Sequence, residues 1–336
     1  MRVKFLVTPV GLMWGNVVSA RRLGDALLAE GVEVIEGREE KEYDLLHVHT
    51  PVPPGNALEV RRAKKKGIPV VIHAHTTAED ARGTWTGSTL LSGWVGRYLN
   101  RFYNMADLVL SPSEWTKERL KARGLKAPVR VISNGVDLKA FSFDPQMRQR
   151  FRGRLGLSGD RTLVYMVGVV CLKKGIEVIP KIAGELPEMD FVWVGRRSRL
   201  YSPLRVRRAI SKCPSNVRFM DDLEDVREAH NGGDVFFTPS FAENQGVAVM
   251  EAMAAERPVV ARNLEVYRGL LEDRKSALLG NTEGDFVEAI RKVGRGGDLA
   301  KELACQGRLS VESHDIGRVS KELVTIYEGL LKRKSF

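Results

Sequence analysis

The sequence predicts an α/β protein with two doubly wound parallel sheets, and two features of its 336 residues carry that prediction. Short apolar, β-favouring runs alternate with segments of helical length along the whole chain. Most of the runs end in polar residues or glycine, as buried parallel strands do. One charged stretch, residues 144–160, interrupts the series, which restarts near Leu163. We therefore expect domains over residues 1–155 and 156–315, followed by a terminal helix over residues 316–336.

The predicted elements follow in chain order. The first strand, VKFLVTPV, leads through the loop GLMWGN into a helix from about Val17 to Glu30. The remaining strands of the first half are VEVIE, DLLHVHT, VVIHAHT, DLVLSPS and VRVISNG. The second half supplies TLVYMVG, FVWVG, VRFM, VFFTPS, PVVA and ALLG, separated by helical segments. The last helix, from about Ile316 to Lys332, has no strand after it.

The composition is that of a soluble globular protein, with 43% hydrophobic and 28% charged residues. No apolar run reaches the roughly 18 residues of a membrane span, and the first strand begins too early for a signal peptide. We therefore expect a cytoplasmic protein. Cys171, Cys213 and Cys305 lack metal-ligand spacing, so we expect reduced thiols and assign them no chemistry.

The net charge of +11 is concentrated in the first half, where residues 1–160 hold 25 basic and 17 acidic side chains. Two helical segments carry much of it, residues 61–66 and the aromatic-rich segment LLSGWVGRYLNRFYN. Two explanations stay open, a solvated basic face with core aromatics, or a surface that lies on the inner face of an anionic membrane. A basic protein also suits nucleic acid, but no reading motif is present, so we expect no nucleic-acid partner.

Residues 235–261 are the strongest candidate for a ligand site. An apolar strand runs into a short polar loop, and Gly246 opens a helix that lasts until Pro258. In a right-handed crossover this loop lies at the carboxyl edge of a parallel sheet, where the amides of Gly246, Val247 and Ala248 favour a phosphate. Glu243 and Glu251 flank these amides and suit hydroxyl groups. An ordinary crossover with solvated glutamates is the alternative.

The spacing of Glu243 and Glu251, with Gly246 between them, resembles the double-glutamate signature of the family 4 retaining glycosyltransferases. HAHTTAEDARGTWTGS, FYNMADLVLSPSEWTKERL and KKGIEVIPKIAGELPEMDFVWVG are similar to the α-monoglucosyldiacylglycerol synthase branch of that family. The resemblance implies the GT-B fold, two facing Rossmann-like domains with an interdomain cleft, and a terminal helix that crosses back to the first domain. It also implies that Glu243 contacts the donor hexose, that Glu251 holds the ribose hydroxyls, and that the amides hold the diphosphate.

Lys174, next to Lys173, follows a strand and a glycine-bearing loop, which suits either a second phosphate site or a solvent-exposed lysine pair. The resemblance implies that Lys174 neutralises the donor diphosphate together with an arginine, and the arginine position falls on Val169. Arg196, with Arg197, lies at the same predicted sheet edge and is our candidate replacement. The implied donor site comprises Gly15, Asn16, Gly168, Lys174, Arg196, Glu243, Asn244, Gln245, Gly246, Val247, Ala248 and Glu251.

Histidines end two predicted strands in pairs, His47 with His49 and His73 with His75. Each pair points to one side of its strand, but no cysteine accompanies them, and we expect no metal. The resemblance places His75 against the donor hexose near the reacting centre. The predicted catalytic residues are His75, Glu243 and Lys174. The residues after His75 are expected on the acceptor side, namely Thr76, Thr77, Glu79 and Asp80.

The acidic run DDLED, Asp221 to Asp225, is interpreted as a helix start with Asp221 or Asp222 as its cap. The motif SNGVD, Ser133 to Asp137, ends a strand in a turn and also matches an interdomain motif of the family. Neither run is expected to bind a metal.

The resemblance implies a metal-independent enzyme without cofactor that transfers a hexose, with retention, from a nucleotide-sugar to a lipid hydroxyl such as that of a diacylglycerol. We expect UDP-glucose as donor, with a GDP-sugar as the alternative, and peripheral contact with an anionic membrane through the basic first domain. Three other functions stay open, a glycosyltransferase for a soluble sugar or glycan, a sugar-nucleotide epimerase, and a basic nucleic-acid-binding protein.

Overall fold

The structure, a computed structural model, describes residues 1–7, 14–36, 42–52, 55–157, 161–197 and 202–334. These residues form two compact units. The first comprises Met1–Ala81, Leu90–Gly135 and His314–Phe336, and the second comprises Arg82–Thr89 and Val136–Ser313. Among the described residues, no helix combines the length and the apolar character needed to cross a membrane.

The first unit is built on a six-stranded parallel sheet in the order β2-β1-β3-β4-β5-β6. Its strands are β1 Arg2–Leu6, β2 Glu33–Glu36, β3 Leu45–Val48, β4 Val70–His73, β5 Leu108–Ser111 and β6 Val129–Val131. The connecting helices are α1 Trp14–Ala29, α2 Gly55–Lys65, α3 Ala78–Ala81, α4 Ser88–Tyr103 and α5 Glu114–Ala122. Because every strand pair is parallel, the strand ends that carry the histidines meet at one edge.

The second unit carries a second six-stranded parallel sheet, in the order β12-β11-β10-β7-β8-β9. Its strands are β7 Leu163–Val167, β8 Asp190–Val194, β9 Val217–Met220, β10 Val235–Thr238, β11 Val259–Arg262 and β12 Leu278–Gly280. Its helices are α6 Pro145–Arg154, α7 Ile179–Gly184, α8 Leu204–Ser211, α9 Arg227–Gly232, α10 Val247–Ala254, α11 Glu283–Gly294 and α12 Asp298–Val311. The class predicted from the sequence, two parallel α/β sheets, is thereby confirmed.

The terminal helix α13, Ile316–Lys334, completes the core of the first unit. Val319, Leu323 and Tyr327 are buried there in one apolar cluster with Val3 and Phe5 of β1. Helix α13 therefore packs on the first sheet, against its strand β1.

The second unit begins at Val136 and includes residues that the sequence placed in the first domain. Helix α6 is fixed there by its arginines, since Arg148 donates to Asp234 at 2.7 Å and Arg152 does so at 3.1 Å. Phe151 of the same helix is fully buried. Helix α6, within the charged stretch, thus belongs to the second unit, and its low hydrophobicity hid this packing from the sequence.

The order of the second sheet determines where its ligand edge lies. The order in which the chain adds strands switches sides at β7 and β10, which are parallel neighbours although β8 and β9 lie between them in sequence. Loops that follow two strands on either side of such a switch point separate and leave a crevice at the carboxyl edge. The loops after β7 and β10 are those that hold Lys174 and Glu243.

Candidate functional site

Lys174 and Glu243 meet at the switch point of the second unit. The ammonium Nζ of Lys174 donates to Oε1 of Glu243 at 2.5 Å, and both side chains are largely buried. Burial by itself would raise the pKa of Glu243, but the positive charges of Lys174 and Lys173 outweigh it and hold that pKa below its usual range. The sequence predicted both residues for one site, and the structure brings them into contact.

Two close backbone contacts hold the two loops together. Gly175 has φ 81°, and a Cβ there would lie 2.6 Å from the carbonyl oxygen of Pro239. The amide of Phe241 donates to the carbonyl of Lys173 at 2.7 Å. The indole of Trp193 donates to the carbonyl of Gly168 at 2.7 Å, which fixes the start of the lysine loop. The Lys174–Glu243 contact therefore rests on backbone geometry as well as on charge.

Gly246 precedes α10 in a left-handed conformation, with φ 89° and ψ 60°. A Cβ at this position would lie 2.7 Å from Cε1 of Tyr267, so no other residue fits without displacing that ring. The helix begins at Val247, one residue later than the sequence suggested, and ends at Ala254. Val249 and Met250 donate to the carbonyl of Gly246, so the first-turn amides without an intrahelical acceptor are those of Val247 and Ala248, which follow the Glu243 loop and suit a phosphate group.

The remaining predicted residues of this loop are partly or fully buried. Asn244 and Gln245 are 8% and 5% exposed, while Val247 and Ala248 are intermediate. Gly168 lies at the other loop with φ 133°, and a Cβ there would lie 3.5 Å from Cε of Lys174. These positions therefore line one small region of the second unit.

Glu251 lies within α10 and is only 4% exposed. Its Oε2 lies 3.3 Å from Nε2 of His230, and Nδ1 of His230 lies 3.0 Å from the hydroxyl of Tyr165. Sequence reasoning named neither partner, because His230 belongs to a helix of six residues without a recognisable pattern. The residues around the predicted site thus include two polar side chains that come from the core.

Arg196, the predicted replacement for the arginine missing at Val169, is engaged with an acid in this structure. Its backbone amide and its Nε donate to the Asp222 carboxylate at 2.9 and 3.0 Å. Arg197 lies 3.6 Å from Asp221. The role of Arg196 toward a diphosphate stays a prediction.

The interpretation of DDLED as a helix start is wrong. Helix α9 begins at Arg227, after the acidic run, and Asp221 and Asp222 face Arg197 and Arg196 instead of capping it. Asp225 accepts from the backbone amide of Arg227 at 3.0 Å. The run resembles a cap in sequence, but its first two acids are used as counter-charges for the arginines after β8.

His75 lies in the first unit, within a cluster of four buried histidines. Its Nε2 lies 3.1 Å from Nδ1 of His49, and its side chain also bonds Asn134 of the SNGVD turn. Burial lowers the pKa of His75 to about 4, partly offset by the Asn134 bond, so the ring is neutral near pH 7. His47 is held by the hydroxyl of Tyr327 at 2.6 Å.

The cluster is the nearest approach to a metal site among the described residues. Ring nitrogens of His47, His49 and His73 lie within 4.8 Å of one another. The rings of His47 and His73 are only 7° from parallel, and those of His73 and His75 are 14° from parallel. A metal lies in the plane of each histidine that binds it, so stacked rings direct their nitrogens side by side and not at one point. We assign no metal here, and a metal-free site stays a prediction.

The predicted acceptor-side residues follow β4 in the first unit. Thr76 accepts from the Tyr103 hydroxyl through its carbonyl at 2.7 Å, and the buried Thr77 hydroxyl accepts from the amide of Asp80 at 3.1 Å. Glu79 accepts from Nε and Nη2 of Arg123 at 2.9 and 2.5 Å. These bonds fix the segment around α3, and its acceptor role stays a prediction.

Two predicted donor residues lie at the start of α1. Gly15 is exposed in the first turn of that helix. The side chain of Asn16 and residues 8–13 of the loop before it lie outside the described part of the chain. Their predicted part in donor binding is therefore left as a prediction.

Two family models together match more than half of the chain. Models of "Glycosyltransferase Family 4" and "Glycosyl transferases group 1" match residues 16–140 and 162–295. A processive diacylglycerol alpha-glucosyltransferase of Acholeplasma laidlawii is 28% identical and covers 92% of each chain. An alpha-galactosylglucosyldiacylglycerol synthase of Streptococcus pneumoniae is 29% identical over 78% of this chain and 71% of its own.

The fold also matches solved structures. HepE of Anabaena, solved in complex with UDP and glucose, superposes with a TM-score of 0.78 over 98% of this chain and 99% of its own, at 17% identity. At that identity the likeness shows the fold. The two family models, the full-length relatives and the glutamate pair around Gly246 lead to one conclusion, that this chain belongs to the family 4 glycosyltransferases.

Proposed function

We propose that this glycosyltransferase moves glucose from UDP-glucose to a lipid hydroxyl of the diacylglycerol type, with retention of configuration and without a metal or cofactor. The observation that carries the donor half is the contact between Lys174 and Glu243 beside the first turn of α10. The names of the Acholeplasma and Streptococcus relatives support the lipid acceptor.

The donor half of the proposal follows from the charges of Lys174, Lys173 and Glu243. A leaving diphosphate gains negative charge as the sugar bond breaks, and fixed donors aimed at it lower the barrier. The Lys174 ammonium has three protons, so it can bond Glu243 and a phosphate oxygen together. Glu243 stays ionised because the two lysines lower its pKa, although burial opposes this, and an ionised carboxylate accepts from sugar hydroxyls. We expect displacement on the same face of the sugar, with Glu251 bound to the ribose.

The lipid half is supported by one face of α4 in the first unit. Leu90 is 91% exposed and Trp94 is 62% exposed, and Arg97 and Arg101 continue the same helix face into solvent. Phe102 of the same helix is buried, so the aromatic spacing serves both the core and the surface. Exposed apolar side chains beside arginines suit the interface of an anionic membrane, and we propose this face for peripheral contact at the inner side of the cell membrane.

The deciding experiment offers the purified protein UDP-glucose, UDP-galactose and GDP-mannose with three acceptor conditions, namely diacylglycerol vesicles, soluble sugars and none. We expect a glucolipid, α-linked by NMR, from UDP-glucose and diacylglycerol, and unchanged turnover after chelation of divalent metals. Transfer only to a soluble sugar would reject the lipid acceptor. Conversion of the donor sugar without any acceptor would indicate an epimerase and reject the proposal.

Arg196 is tested separately, because the structure engages it with Asp222. If it helps to neutralise the diphosphate, Arg196→Ala weakens UDP binding measured by calorimetry, and Arg197→Ala is the matched comparison. Unchanged affinity in both variants would leave Lys174, with Lys173 next to it, as the proposed cations of the site.

A further inference from the structure

Tyr165, His230 and Glu251 form a buried polar chain behind the predicted nucleotide site. The Tyr165 hydroxyl lies 3.0 Å from Nδ1 of His230, and Nε2 of His230 lies 3.3 Å from Oε2 of Glu251. Tyr165 and His230 are 0% exposed. The imidazole is enclosed by aromatic rings, with Phe141 at 5.4 Å and Phe236 at 6.0 Å between ring centroids. A polar chain in such surroundings is costly unless each member has its partner.

The donor and acceptor roles along this chain follow from what each group can do. Burial raises the pKa of Tyr165 well above its usual value, although the charge of Arg257 opposes this, so the phenol keeps its proton. A carboxylate oxygen accepts, so the tautomer that satisfies this contact has its proton on Nε2 of His230 and donates to Glu251. In that tautomer Nδ1 is the acceptor, and the Tyr165 hydroxyl donates to it. One arrangement of protons therefore satisfies the whole chain.

We propose that His230 is a positioning residue for the nucleotide, which fixes the Glu251 carboxylate so that it accepts hydroxyl hydrogens of the donor ribose. This rests on the proposed function, in which Glu251 binds the ribose. Helix α10 places the backbone of Glu251, while the bond from His230 fixes the rotamer and the plane of its carboxylate. His230 itself does not touch the nucleotide in this arrangement.

The test compares UDP with 2′-deoxy-UDP, which lacks one ribose hydroxyl, by calorimetry on the full chain. His230→Phe removes one donor to Glu251, and we expect UDP affinity to fall about tenfold, as loss of a hydrogen bond to a charged group predicts. Affinity for 2′-deoxy-UDP should fall much less, so that the preference for UDP shrinks. His230→Gln, whose amide donates to Glu251 and whose carbonyl accepts from Tyr165, should restore most of the preference.

Matched controls separate this role from a structural one. His314→Gln makes the same change at a histidine outside the donor site, and it should leave both affinities unchanged. If His230→Phe weakens both nucleotides equally, or if His230→Gln fails to restore the preference in a variant with the thermal stability of the wild type, the positioning role is wrong. Glu251→Ala tests whether Glu251 binds the ribose at all. A loss of UDP affinity in Glu251→Ala without any change in His230→Phe overturns only the inference, whereas unchanged affinity in Glu251→Ala overturns the ribose role as well.

Discussion

At the residue scale, the contact between Lys174 and Glu243 predicts coupled effects on catalysis. Lys174→Ala and Glu243→Gln should each lower kcat by about 10²-fold, as removal of a group that stabilises developing charge does. The double variant should be little worse than either single one, because the residues act as a unit. The measurement is initial rate of glucose transfer at saturating donor.

An exposed ion pair of the same unit provides the control for that cycle. Lys181 lies 2.8 Å from Glu283 on the surface. Lys181→Ala and Glu283→Gln, alone or together, should leave kcat within about twofold, since exposed pairs contribute little. Additive losses in the Lys174 and Glu243 cycle would mean that the two residues act at separate steps.

Gly246 leads to a prediction on backbone strain. Gly246→Ala should lower the free energy of unfolding by about 1–2 kcal/mol, because alanine is strained in the left-handed conformation. The contact of the new Cβ with Tyr267 should lower it further. Gly269→Ala is the matched variant, since Gly269 has φ 85° but nothing within 4 Å of a Cβ. We expect a lower melting temperature for Gly246→Ala than for Gly269→Ala, together with weaker UDP binding. Equal melting temperatures would show that the Tyr267 ring moves aside at no cost.

Strand and loop assignments were enough to place Lys174 and Glu243 at one sheet edge, because parallel strands end together, whereas the family resemblance selected them as site residues. His230 was not predictable, since its partners Tyr165 and Glu251 come from a strand and a helix distant in sequence. The pairing of Arg196 with Asp222 was not predictable either. Asp222 resembles a helix cap in sequence, and it meets Arg196 only because β8 and β9 are neighbours in the sheet.

At the element scale, α4 and α2 predict how the first unit meets lipid. Leu90→Gln with Trp94→Gln should reduce flotation with anionic vesicles at all salt concentrations. Neutralising the exposed Arg61 and Lys65 of α2 and Lys66, which directly follows the helix, should reduce it mainly at low salt, by about fivefold for each charge. Leu309→Gln, at an exposed leucine of α12, is the control. Flotation that is unaffected by both sets of changes would reject this surface.

The elements themselves were largely predictable, because their hydrophobic patterns are strong. The predicted helix from Val17 to Glu30 is α1, Trp14–Ala29, and the last helix ends at Lys334. Helix α6 was missed as part of the second unit, because its main buried apolar contact is Phe151 and its other anchors are arginine bonds. A charged helix held by ion pairs lacks the hydrophobic pattern from which its packing could be predicted.

At the scale of the whole molecule, the histidine cluster predicts instability in acid. Burial, and the neighbouring histidines, lower the pKa values of His47, His49 and His73 well below 6.5, while His75 falls to about 4. The histidines of the unfolded chain take up protons from about pH 6.5 downward, and the buried ones of the folded chain do not. The contribution of these histidines to folding stability is therefore complete above that pH and is lost as the pH falls below it. For His75 the loss at pH 5 is about 2 kcal/mol.

The measurement is the melting temperature between pH 7.5 and 4.5 for the wild type and His73→Phe. Both ring nitrogens of His73 are buried without a partner among the described residues, so the variant should be no less stable at pH 7.5. The melting temperature of His73→Phe should fall less on acidification than that of the wild type. His314→Phe should differ from the wild type less than His73→Phe does. Identical curves for the wild type and His73→Phe would show that His73 titrates normally in the folded protein.

Helix α13 has a consequence for how this protein is made. Val3 and Phe5 of β1 are translated long before Val319, Leu323 and Tyr327, with which they share an apolar cluster. Residues 82–89 likewise reach the ribosome exit long before the rest of the second unit. During synthesis the second unit can therefore close first, while the nascent first unit keeps an apolar face open until the final helix emerges. A ribosome stalled before Ile316 would hold a chain that chaperones recognise.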